Sequence, residues 1–240
     1  MKNSIILVFG SVLLFLISCK KEVEPPKLIY EDAKNKVSKT IITDTSRIKI
    51  ADLPIQIIGT KFLIFPIGDY RIYEGKSRSG YGSTSDLGSF TISNHNEFEI
   101  TGFLSNIKFQ SIDSDSIFAL SNKPVLIQTA TYLKTISDKT KKQFMVYTLS
   151  DMDTNRDGKL DSDDIKSLYV SEISGKRFTK ISTKFEELID WNLIESKNRL
   201  YFRTIEDTNK NGKFDKNDPV HYNFIDLLSN DWKIQSYKPI

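Results

Sequence analysis

Residues 153–164 read Asp-Thr-Asn-Arg-Asp-Gly-Lys-Leu-Asp-Ser-Asp-Asp, which sets side-chain oxygens at positions 1, 3, 5, 9 and 12 of a twelve-residue segment: Asp153, Asn155, Asp157, Asp161 and Asp164. So many hard oxygen donors on one short turn suit a cation that takes six to eight oxygens, and calcium is that cation. Gly158 at position 6 permits the sharp turn, Lys159 at position 7 offers its main-chain carbonyl, and Leu160 packs the loop down. Magnesium fits less well, because it demands near-octahedral geometry and keeps its waters. Residues 207–218 repeat the arrangement at an offset of 54, with Asp207, Asn209, Asn211, Gly212, Lys213, Asp215 and Asp218 in the same places. Asp157 becomes Asn211, so the second loop has one carboxylate fewer at its ligand positions, and the first is expected to be the tighter site. Asp-Gly and Asn-Gly also make plain turns between strands. Such turns need only a residue or two and do not call for five spaced oxygens in two copies.

The spacing resembles the calcium loop of EF-hands, with Asp164 and Asp218 replacing the usual bidentate glutamate at position 12. The flanks depart from that family. Each loop is preceded and followed by a β-type run, not by helices, which also argues against resemblance to dockerins and their cohesin binding. A hairpin whose connection has become a metal loop is the better frame, with the ion stapling the turn in a mainly structural role.

The elements that must position these loops are short and β-like. Runs of alternating or β-branched residues occur at 55–59, 61–66, 70–74, 89–93, 97–101, 107–110, 117–120, 125–130, 144–149, 167–173, 200–205 and 221–227, punctuated by Gly, Asn, Asp and Ser. No stretch shows three helical turns of periodic apolar residues, so an all-β body is expected. The 54-residue offset extends past the loops, matching Tyr147 with Tyr201, Leu168 with Tyr222, Ile173 with Leu227 and Phe178 with Trp232. Residues 168–182, with Gly175 at the turn, resemble the outer strands of a TolB-type β-propeller blade, and residues 189–205 resemble inner strands of the next. The resemblance implies propeller-like repeats of antiparallel strands, about four blades or an incomplete propeller. A β-sandwich is the alternative.

At the N-terminus, Lys2 precedes an apolar run over 5–17 that is short for a bilayer span and reads as a secretion signal. It closes on Leu16-Ile-Ser-Cys19, which resembles the lipobox of bacterial lipoproteins. That resemblance implies cleavage after Ser18, lipidation of Cys19 and anchoring by acyl chains. Cys19 is the single cysteine, so a lipidated chain has no thiol for disulfides, nucleophilic catalysis or thiolate metal sites. The expected organisation is a signal peptide over 1–18, a lipidated N-terminus and flexible tether over 19–50, and a body over 51–240. The chain as a whole resembles small uncharacterised lipoproteins of Bacteroidetes-type bacteria, which implies a place in the cell envelope as an outer-membrane lipoprotein facing the periplasm or the outside.

Composition narrows the function classes. Hydrophobic residues make up 39% and aromatics 11%, enough for a real core. The net charge of +3 is small and interspersed, which gives no footprint for nucleic acid. His95 and His221 are the only histidines and sit in no spaced cluster; His95 reads as a turn residue and His221 as a strand residue. Gly75-Lys76-Ser77 lacks the earlier glycine of a phosphate loop, and the serine-rich stretch 77–89 lacks nucleophile-elbow spacing. The expectation is a non-enzymatic binding or scaffold module whose partners are the membrane, through its anchor, and a protein or glycan. The alternative is an envelope hydrolase whose carboxylates sequence spacing does not reveal.

Overall fold

A computed structural model of the chain describes residues 25–30, 47–71 and 91–240. The expected signal peptide, Cys19, the Gly75-Lys76-Ser77 motif and the serine-rich stretch lie outside the described residues.

The body is all-β, built from antiparallel strands in two sheets. The larger has ten strands: β1 (Arg47–Ala51), β2 (Ile55–Gln56), β3 (Phe62–Arg71), β4 (Ser93–His95), β5 (Glu99–Ser111), β6 (Ile117–Ala119), β7 (Leu126–Tyr132), β8 (Phe144–Ser150), β9 (Ser167–Glu172) and β10 (Thr179–Lys180). Its main path runs β1-β3-β5-β7-β8-β9-β10. The smaller sheet is β11 (Glu186–Ile194), β12 (Arg199–Glu206), β13 (Val220–Asp226) and β14 (Gln235–Ser236), paired in chain order. No closed propeller ring is present among the described residues. A short helix, α1 (Lys134–Thr140), joins β7 to β8 and closes on Lys141 in the left-handed conformation.

Two cores follow from the period-2 pattern of the strands. Ile64, Ile100, Leu104, Ile107, Phe109, Ile127, Met145, Tyr147 and Leu149 form one core cluster on the larger sheet. Phe144, Val146, Leu168 and Val170 face the other way and pack with Ile136 of α1 and with Leu188, Leu200, Phe202 and Ile225 of the smaller sheet. The β8–β9 hairpin is therefore buried on both faces, which is why 144–149 reads as an almost unbroken apolar run.

Where the sequence suggests two strands, at 97–101 and 107–110, the chain forms the single long β5. Its pairing register slips between Thr101 and Leu104, a bulge that bends the strand and breaks the alternation. Gly102 sits at that bend with no room for a Cβ, which would stand 2.9 Å from the Ile92 carbonyl oxygen.

The expected tether needs two corrections. β1 pairs with β3 from Arg47 onward, so the body begins inside the 19–50 span. Residues 25–30 are not a free linker either: Leu28 is 2% exposed, and its neighbours hydrogen-bond to both of the 54-residue-related loops. Isolated Pro, Lys and Leu residues carry no periodic signal, so a segment held by main-chain contacts to distant loops is invisible to pattern reading.

Candidate metal loops

Each loop joins two strands that pair antiparallel. β8 and β9 flank residues 153–164, and β12 and β13 flank residues 207–218. This is the hairpin arrangement that the β-type flanks suggest.

Inside the two loops the hydrogen bonds repeat at the 54-residue offset. The amide of Gly158 donates to Asp153 Oδ2 at 2.9 Å, and that of Gly212 to Asp207 Oδ2 at 2.7 Å. Asn155 and Asn209 accept from the amides of Asp157 and Asn211, at 3.0 and 2.9 Å. Asp157 and Asn211 accept from Lys159 and Lys213, each at 2.8 Å. Asp161 and Asp215 accept from Asp163 and Asn217. Asp164 and Asp218 reach back across the loop: Oδ1 takes the amide of Thr154 or Thr208, and Oδ2 that of Asp161 or Asp215. The backbone repeats too, with Arg156 and Lys210 at φ 59° and 58° and Gly158 and Gly212 at φ 87° and 80°. These turns engage at least one oxygen of each of these side chains with a backbone amide, and an ionised carboxylate has about four acceptor sites in total.

The loops differ at position 1. Asp207 has both oxygens satisfied, because Oδ1 also accepts from the amide of Asn211 at 3.1 Å. Asp153 Oδ1 is buried with no hydrogen-bond partner. An orphaned carboxylate oxygen costs free energy unless something electropositive meets it, and a cation in loop 1 would do so. Asp164 is fully buried, and burial pushes its carboxyl above the ordinary range, with the charge of Asp153 adding to the rise; the backbone amides of Asp161, Thr154 and Asn155 oppose it. Both features suit a cation whose charge would offset that burial.

Residues 25–30 lie across both loops. The amides of Lys27 and Leu28 donate to the carbonyl of Gly212, at 2.9 and 3.3 Å, while the amide of Ile29 donates to the carbonyl of Thr154 at 2.8 Å. The Thr154 hydroxyl donates to the Lys27 carbonyl at 2.8 Å, and the Tyr30 hydroxyl to that of Asp207 at 3.0 Å. Burial and the nearby Asp207 push the Tyr30 phenol up to about 12, so it stays a donor at neutral pH. Lys27 Nζ pairs with Glu187 at 3.1 Å; Glu187 also accepts from the amide of Lys166, just past loop 1. Gly212 carries a double constraint: φ is +80°, and a Cβ there would stand 2.4 Å from the Leu28 carbonyl oxygen.

Sequence reasoning missed a second group. Glu186, Glu206 and His221 bring one ligand atom each within 4.8 Å of one another, and His221 Nε2 lies 2.9 Å from Glu206 Oε2. Cross-strand pairing assembles them, Glu186 opposite Glu206 and His221 opposite Thr204, so His221 has acidic neighbours that no sequence spacing reveals. Glu186 is buried and accepts a hydrogen bond from the Thr204 hydroxyl. Among the described residues, no three carboxylates of either loop bring ligand atoms within that distance of one another. His95 lies exposed in β4 instead of in a turn. A shallow cleft of about 370 Å³ over β1, β3 and β5 is lined by Lys49, Asn106 and Lys108 among others and holds no carboxylate.

No helix among the described residues is long and apolar enough to cross a membrane. No protein-family model, curated protein or solved structure matches the chain.

Proposed function

We propose that this chain is a calcium-binding lipoprotein of the bacterial cell envelope, anchored through Cys19, whose β body is a non-enzymatic binding or scaffold module for a protein or glycan. The observation that carries the calcium reading is the matching donor pattern of two hairpin connections, one of which holds the buried, partnerless Asp153 Oδ1. Asp153, Asn155, Asp157, the Lys159 carbonyl, Asp161 and Asp164 form the first site. Asp207, Asn209, Asn211, the Lys213 carbonyl, Asp215 and Asp218 form the second. A bound calcium supplies positive charge that neutralises the carboxylates and closes each turn. The anchoring reading rests on the Leu16-Ile-Ser-Cys19 pattern. The finer fold reading, propeller-type blades, rests on the β9–β10 and β11–β12 hairpins, the first turning at Gly175 with φ +77°.

Calorimetric titration of the mature chain with calcium tests this. Two sites of unequal strength are expected, the tighter lost in Asp153→Ala and the weaker in Asp207→Ala. A flat titration removes calcium from the reading. Radiolabelled palmitate incorporation, expected for the parent and absent in Cys19→Ala, checks the anchor.

A further inference from the structure

We propose that residues 25–30 form a calcium-gated clasp, an intramolecular ligand that occupies the seam between the two loops and couples their filling. The proposal rests on the calcium reading of the loops and adds the partner that bridges them. This segment hydrogen-bonds to both loops and so connects them. Its seat has two halves. One is Thr154, the second residue of loop 1, which gives its carbonyl to Ile29 and its hydroxyl to Lys27. The other consists of the carbonyls of Asp207 and Gly212, the first and sixth residues of loop 2.

Both halves are held by groups assigned to the ions. The amide of Thr154 is held by Asp164 Oδ1 at 2.6 Å, and Gly212 is held through its amide by Asp207 Oδ2 at 2.7 Å. Without an ion, the carboxylates of each loop repel one another and these anchor points shift. The segment then loses half its seat, and the remaining loop loses the contacts the segment made to it. Linkage makes the effect reciprocal, so filling either loop favours the other. Geometry sets the consequence at the membrane. Pro25 is six residues from Cys19, so a docked segment keeps the loops within about 20 Å of the anchor.

Hydrogen exchange on the mature chain reads the clasp directly. The amides of Lys27, Leu28 and Ile29 should exchange at least about tenfold faster in chelator than in calcium. Asp153→Asn hydrogen-bonds to neither loop 2 nor the segment, yet it should expose those amides even in calcium and weaken the loop 2 site roughly tenfold. Tyr30→Phe removes only one hydroxyl and should retain two sites while weakening loop 2 several-fold. Equal protection with and without calcium overturns the clasp, as does a loop 2 affinity untouched in Asp153→Asn. A parent chain that takes up no calcium sinks the loop reading and the clasp together. Two independent sites beneath an undisturbed segment sink the clasp alone.

Discussion

At the scale of single residues, what distinguishes the two loops is how completely their carboxylates are already satisfied. Asp207 spends both oxygens on backbone amides, while Asp153 keeps one buried oxygen with no partner. Loop 1 also has the extra charge of Asp157 where loop 2 has Asn211. Both differences point the same way. Exchanging that one position tests the charge argument: Asn211→Asp should tighten loop 2, and Asp157→Asn should loosen loop 1, each by roughly tenfold, read by calcium calorimetry. A residue-level pH effect comes from Asp190, which lies across β11 and β12 from Arg203. The hydrogen bond from Arg203 holds the Asp190 carboxyl below the ordinary carboxylate range, against a small opposing effect of burial. A lowered folded pKa contributes stability that is present above the unfolded value near 4 and is lost as pH falls through the folded one. The two side chains are 50% and 43% exposed, so solvent screening keeps the contribution to about 0.5 kcal/mol. Urea melts of the parent and Arg203→Met should differ by that small amount at pH 7 and converge as pH falls through the lowered Asp190 value.

At the scale of elements, the short segment over 25–30 is held by a near balance. Burying Leu28 contributes about 2 kcal/mol, and six hydrogen bonds, that of Lys27 Nζ to Glu187 included, contribute about 1 kcal/mol each. Fixing six residues of backbone costs about 1–2 kcal/mol apiece. Terms this close make docking sensitive to the condition of the loops beneath it. The turn between β9 and β10 is far less negotiable. Gly175 adopts φ +77°, and a Cβ there would stand 2.6 Å from Cδ2 of Phe109, a ring with no solvent exposure. Left-handed backbone and overpacking act together, so Gly175→Ala should cost about 2–4 kcal/mol in urea unfolding. An unchanged midpoint would mean that the sheet does not curl β5 onto this turn.

At the scale of the whole molecule, both loops connect strands that line the second core, so filling them should stabilise the body beyond the turns themselves. With calcium at about a hundredfold excess over each Kd, mass action adds roughly 2.7 kcal/mol per site, which for a chain of this size raises Tm by about 10 °C or more over chelator. Calorimetric scans check this; superimposable melts would deny the ions a structural role. Residue pattern alone carries the strand-built body, most strand positions and the two twelve-residue repeats, because strand alternation and the spacing of Asp, Asn and Gly are local and each residue carries its own signal. Which strands share a sheet, that β5 is one bent strand, that Glu186, Glu206 and His221 meet, and that residues 25–30 bridge the loops came only with the three-dimensional fold. Those facts depend on register, on a bulge and on main-chain hydrogen bonds between residues more than a hundred positions apart, and main-chain groups are the same in every residue except proline, so they leave no mark on side-chain pattern.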